Sequence, residues 1–272
     1  MSTNHILGVR GNNDQTVIEW RAWMHWIESL PGGKEWLEDM DSNRSHIDGD
    51  EPNADLSKSH KEWKAYVPSG WELLGKHYKI AREMSQEHFD YLCSLPTILY
   101  APTAHTYFAH AGLLPADPTH EYNDPKQPLS HLPTTASPDE DDLVLRGRQE
   151  LALLNQIPQN HDLWLLMNMR SISKDGKVTD SNKKGTAWSD VWNKVMDSCS
   201  ASPATELLAT KRGSTTRGSL HCFPSMAIYG HAAARDLDVK RWSVGIDTGC
   251  VSGPIMSFDL FTQIAPRRMV VG

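Results

Sequence analysis

Apolar residues follow two rhythms along this chain. Between Asp14 and Leu30, the residues Val17, Trp20, Met24 and Ile27 recur at helical spacing and predict one buried face. Asp14 stands at the N-cap position, and Pro31-Gly32-Gly33 is the stop. Ser85–Leu95 predicts a second helix, capped by Ser85, with Phe89, Leu92 and Cys93 on one face and Pro96 closing it. Leu143–Gln156 and Trp188–Cys199 carry helical patterns as well. Short apolar runs predict strands at His5–Val9, Thr97–Tyr100, His105–Ala109, Leu163–Met167, Met226–Tyr229, Trp242–Asp247 and Ile255–Leu260.

Between these elements lie polar stretches. Lys34–Lys64 is charged and poor in aliphatic residues apart from Trp36 and Leu37, and reads as a solvated insertion. Its acidic residues Asp48, Asp50, Glu51 and Asp55 lack the spacing and closing Glu of a calcium loop. Ala116–Asp142, rich in Pro, Asp and His, reads as an irregular loop, as does Ala201–Ser219 with Lys211, Arg212 and Arg217. Ser173–Thr186 is polar and basic. With no internal repeat and no clear linker, residues 1–272 read as a single domain with loop insertions near 34–64, 116–142 and 201–219.

Composition narrows the classes. The chain has 272 residues, 39% of them hydrophobic and 22% charged, as in ordinary globular proteins. A formal charge of -7 excludes a general nucleic-acid binder, so an anionic substrate must be held by a local basic patch or by metal. Ten tryptophans are many for this length, and Trp20, Trp23, Trp26, Trp36, Trp63 and Trp71 cluster in the first quarter. Cys93, Cys199, Cys222 and Cys250 are far apart with no Cys-x-x-Cys pair, which excludes a zinc ribbon and gives no disulfide framework. No run reaches the roughly 18 apolar residues of a membrane span, and MSTNHILG does not read as a signal peptide.

The chemistry sits where strands stop. GVRGNND places Asn12 and Asn13 after the first strand, HAGLLP places His110 before a glycine, and YGHA repeats that arrangement at His231. Arg170 follows the Leu163–Met167 run. Imidazole and amide-oxygen ligands suit zinc, manganese, iron or cobalt better than calcium. Taken singly, each position reads equally well as a turn residue or a surface histidine.

Taken in order, GNND, HAGLLP, YGHA and GIDTGCV resemble the calcineurin-like metallophosphoesterases, in the branch of serine/threonine protein phosphatases and diadenosine tetraphosphatases. The phrases VRGNND, NMRSI, KKGTAWSDVW and RWSVGIDTGC look most like the fungal zinc-dependent vacuolar endopolyphosphatases. The resemblance implies an α/β chain, a four-layer α/β/β/α sandwich with a dinuclear metal site at its strand ends. It puts Asn12, His110 and His231 on one divalent metal (zinc, manganese, cobalt or iron) and Arg170 on the substrate phosphate. Arg235 joins Lys183, Lys184, Lys211, Arg212 and Arg217 as a candidate basic surface for an anion such as polyphosphate.

Two departures qualify the resemblance. The family's Asp-x-His and Gly-Asp motifs, which supply the other metal's ligands, have no counterpart before Gly11, so the sandwich is expected to lack its first strands. Asn13 stands where the family has a histidine that helps to protonate the leaving oxygen. An amide is no acid near neutral pH, and such a step contributes about 10²–10⁴ in rate. Three functions are therefore open: a metal-dependent phosphoester or phosphoanhydride hydrolase, an impaired relative that binds phosphate or a partner, and a serine/threonine protein phosphatase. Relatives are vacuolar and anchored through an N-terminal segment that this sequence does not show.

Overall fold

A computed structural model of the chain describes residues 8–42, 62–134, 141–200 and 220–249. By its contacts the chain forms two compact units, Met1–Thr97 and Ile98–Gly272. Its class is α/β: helices accompany a mixed five-stranded sheet and a small three-stranded one. Among the described residues no helix is long and apolar enough to cross a membrane.

The first unit is helical. Helices α1 (Asn12–Glu28), α2 (Gly33–Ser42), α3 (Lys76–Glu83) and α4 (Gln86–Ser94) surround a tryptophan-rich core. The helical repeat of α1 buries Val17, Trp20, Trp23, Met24 and Ile27. Trp20 lies edge-on to Trp23 at 5.1 Å and to Tyr78 at 5.2 Å, the geometry that ring quadrupoles favour. The Trp23 indole N–H donates to the Tyr66 carbonyl at 2.9 Å, so this large side chain is buried without an orphaned donor.

Several expectations change here. Gly11, not Asp14, is the N-cap of α1; Asp14 sits one turn in, and its carboxylate accepts the Gly11 N–H at 2.9 Å. Residues 8–10 form no strand, and the helix starts directly at Asn12. The stretch read as a solvated insertion begins with α2, which buries Trp36, Leu37 and Met40. Three large side chains on one helical face outweigh the surrounding charges. The acidic residues 48–55 lie outside the described residues, as do Ala201–Ser219 and the Ile255–Leu260 run. In α4 the Ser85 hydroxyl caps as expected, accepting the His88 N–H at 3.3 Å, but Cys93 is exposed rather than packed.

The second unit is built on the sheet β1-β2-β6-β8-β7. Its strands are β1 (Ile98–Ala101), β2 (Thr106–Ala109), β6 (Met226–Tyr229), β7 (Asp238–Val239) and β8 (Ser243–Gly245). The central β2, β6 and β8 are parallel, while β1 and β7 close the edges antiparallel. Register sets Tyr107 opposite Ala227 and Ala109 opposite Tyr229, so large and small residues alternate across one buried face. Trp192 meets Tyr107 on this face at 5.9 Å, and Trp188 meets Tyr229 at 4.7 Å. Both tryptophans come from α7 (Trp188–Asp197). A Cβ on Gly112 would stand 2.3 Å from the Trp188 ring, so the indole packs directly on backbone there.

At the amino ends of the parallel strands, α5 (Asp142–Asn155) inserts the fully buried Glu150. Its carboxylate accepts from Tyr100, from Arg146 Nε at 3.1 Å and from the Ser225 hydroxyl at 2.9 Å, and it contacts His105 Nδ1 at 3.2 Å. Four partners make this buried charge tolerable. Beside it, Gln149 exchanges two bonds with the Phe223 backbone, at 2.9 and 3.0 Å.

Two more readings are corrected. Leu163–Met167 is not a strand but belongs to the helix α6 (Leu163–Asn168). A short apolar run suits either state, and Asp162 decides by accepting the N–H groups of Trp164 and Leu165 at 2.8 and 3.3 Å. Arg170 therefore follows a helix and enters the small sheet β4-β3-β5, made of β3 (Ser171–Ile172), β4 (Val178–Thr179) and β5 (Thr186–Ala187). The cysteines also form a disulfide that their spacing did not reveal: Cys199 beyond α7 is bonded to the buried Cys222 before β6.

Candidate metal and phosphate site

The parallel strands bring two histidines together. Since Ala109 pairs with Tyr229, the next residues along β2 and β6 are His110 and Gly230, and the Gly230 N–H donates to the His110 carbonyl at 2.8 Å. His231 then takes a left-handed conformation, φ 58°, which costs a non-glycine residue about 1–3 kcal/mol and is concentrated at functional sites. Its Nδ1 lies 3.2 Å from His110 Nε2, with the ring centroids 5.0 Å apart.

Burial, the neighbouring His110 and Arg170 together push His231 down to about 4, against an opposing pull from Asp247 and a hydrogen bond to the Asn168 backbone. The ring is therefore neutral near pH 7 and keeps a lone pair for a donor or a cation. A nitrogen–nitrogen gap of 3.2 Å suits an N–H···N hydrogen bond. It also suits two ligands of one tetrahedral zinc: metal–nitrogen bonds of roughly 2.0–2.1 Å set their nitrogens about 3.3–3.4 Å apart. The pair fits as two ligands, though among the described residues no three His, Cys, Asp or Glu side chains gather as a metal site.

Arg170 is close enough to act on His231, and Arg235 is held against the Arg170 backbone. The Arg170 N–H donates to the Thr179 carbonyl at 2.9 Å, and its own carbonyl accepts from Arg235 Nη2 at 2.9 Å. Arg235 stands in the short turn Ala233–Arg235 and also reaches the Asn182 side-chain oxygen at 3.2 Å. Arg170 Nε and Arg235 Nη1 are buried with no hydrogen-bond partner. Buried charged donors without acceptors are costly, and Arg10 Nε and Arg21 Nε of the first unit are in the same state.

The other two candidates belong to the first unit. Asn12 opens α1, and its carbonyl accepts the Thr16 hydroxyl at 2.9 Å. Asn13 follows, with its side-chain oxygen 2.8 Å from His77 Nε2. An amide oxygen only accepts, so the imidazole donates. Burial, helped by the neighbouring Lys76, lowers the His77 pKa against the pull of Glu72. The structure thus joins His110, His231, Arg170 and Arg235 within the second unit, and pairs Asn13 with His77 in the first.

Sequence reasoning missed His77 and Asp247. Nothing in the sequence marks His77, since its partner lies far away along the chain. Asp247 was readable, because it ends a strand as the two histidines do and lies within GIDTGCV, but that phrase does not tell which of its side chains stands near His231.

No family model and no curated protein matches the chain. Among solved structures it is similar to a protein provisionally identified as a diadenosine tetraphosphatase, at 19% identity and a TM-score of 0.34. The match covers 65% of this chain and 51% of that one, so the chain spans about half its length. A likeness of this degree decides neither the architecture nor the activity, both of which rest on the chain's own residues.

Proposed function

We propose that the chain is a divalent-metal-dependent hydrolase of phosphoesters or phosphoanhydrides, with polyphosphate as its substrate class. The observation that carries this reading is the imidazole pair 3.2 Å apart at neighbouring parallel strand ends, with the positive charge of Arg170 acting on it. In this reading His110 and His231 hold one cation, whether zinc, manganese, cobalt or iron. When bound, that cation supplies Lewis acidity towards a phosphoryl oxygen.

The chain's own residues do the rest. His231 is already neutral near pH 7, so it accepts a cation without first releasing a proton. Arg170 and Arg235 offer N–H donors to the non-bridging oxygens and offset their charge, which raises the local concentration of a polyanion on an acidic protein. Asn13 offers no general acid, because an amide is not an acid near neutral pH. Substrates with acidic leaving groups, anhydrides and aryl esters, are therefore favoured over alkyl phosphates.

The test is metal content by elemental analysis, together with hydrolysis of polyphosphate and p-nitrophenyl phosphate, in wild type and His231→Ala. The expected outcome is metal-stimulated turnover in wild type and loss of both turnover and bound metal in the variant. Equal inertness of the two overturns the hydrolase. A second reading, a phosphate binder without turnover, is favoured by the lack of a third ionisable ligand beside the pair among the described residues. It predicts that phosphate binding survives in His231→Ala and is lost in Arg170→Ala.

A further inference from the structure

We infer that Asp247 is the positioning carboxylate of this site, a negative charge beside His231 that lets the imidazole pair take up a divalent cation. The inference rests on the metal-dependent reading above and adds a residue to it.

Topology carries the first part of the argument. Tyr229 of β6 pairs with Gly245 of β8, and two residues beyond each lie His231 and Asp247. The ladder continues past the strands, with the Ile246 N–H donating to the Tyr229 carbonyl at 2.8 Å, so the two chain segments leave the sheet side by side. The same three parallel strands that deliver His110 and His231 thus deliver a carboxylate next to them.

Charge carries the second part. Arg170 brings to the site a charge of the same sign as a metal ion, and Asp247 brings one of the opposite sign. Two neutral imidazoles do nothing to offset a guanidinium against a dication, whereas a half-buried carboxylate does. Asp247 is also held in place: Oδ1 accepts the Gly249 N–H at 3.0 Å, in a turn where Gly249 has φ 73°. Because Asp247 is not part of a three-ligand group, it acts on the ligands rather than as one of them. Such outer partners commonly change metal affinity by about 10–100-fold.

The experiment is titration of the whole chain with Zn²⁺ and with Mn²⁺, in competition with a chromophoric chelator. Wild type, His231→Ala, Asp247→Asn and Asp247→Glu are compared, each with its thermal midpoint. The expected result is affinity lowered about tenfold in Asp247→Asn and largely restored in Asp247→Glu. Wild-type affinity in Asp247→Asn overturns the inference. So does an equal loss in both Asp247 variants, which would mark a structural role through Gly249. Binding lost in His231→Ala but unchanged in Asp247→Asn removes this inference and leaves the metal site standing. A wild type that binds neither ion removes both.

Discussion

Asp238 shows how much one side chain does in the second unit. Its carboxylate accepts the Tyr229 hydroxyl at 2.7 Å and pairs with Lys240 at 3.1 Å. Burial works against the charge, yet these bonds hold the carboxyl below its ordinary value of 3.8, and the Tyr229 phenol is pushed up to about 12, chiefly by burial. With a lowered folded-state pKa, the unfolded chain takes up the proton first as pH falls. The contribution is complete above 3.8 and is lost as pH drops through the folded value. Asp238→Asn is expected to cost about 1–2 kcal/mol at neutral pH and to flatten the acid limb of stability. Urea midpoints at a series of pH values check both; parallel limbs in wild type and variant would count against the assignment.

At the scale of elements, the disulfide links the end of α7 to the segment leading into β6, the strand that positions His231. Replacing Cys199 and Cys222 together by Ser is expected to lower stability by about 2–4 kcal/mol, read from denaturant midpoints with and without reductant. Reductant should move wild type towards the variant and leave the variant unchanged. The strand ends that matter were legible in the sequence, because a short apolar run followed by Gly marks both His110 and His231. The α1 face was legible from its spacing. The helix α6 was not, since a short Leu/Met run has no period of its own and Asp162 settles it only through backbone geometry. Nor was the cysteine pair, whose sequence separation of 23 carries no motif. Asp247 lies within GIDTGCV, but only the pairing of β6 with β8 sets it beside the segment that carries His231.

At the scale of the whole molecule, the chain has one aromatic core around Trp20 and Met24 and another around Trp192 and Leu153. Ile27 and Ile157 are fully buried in these separate clusters. Ile27→Val and Ile157→Val are each expected to cost about 0.5–1.5 kcal/mol. Because the two residues belong to different clusters, their effects should add within about 0.5 kcal/mol in the double variant, as measured by equilibrium unfolding. Coupling well beyond that would mean the cores behave as one. A last consequence concerns how such a chain can vary. The Trp188 indole rests on Gly112, and a methyl group at 112 would fall inside the ring's own volume. Room at 188 would not free position 112, because Gly112 also has φ 155°, a conformation that L side chains rarely adopt; contact and backbone both hold that position to glycine.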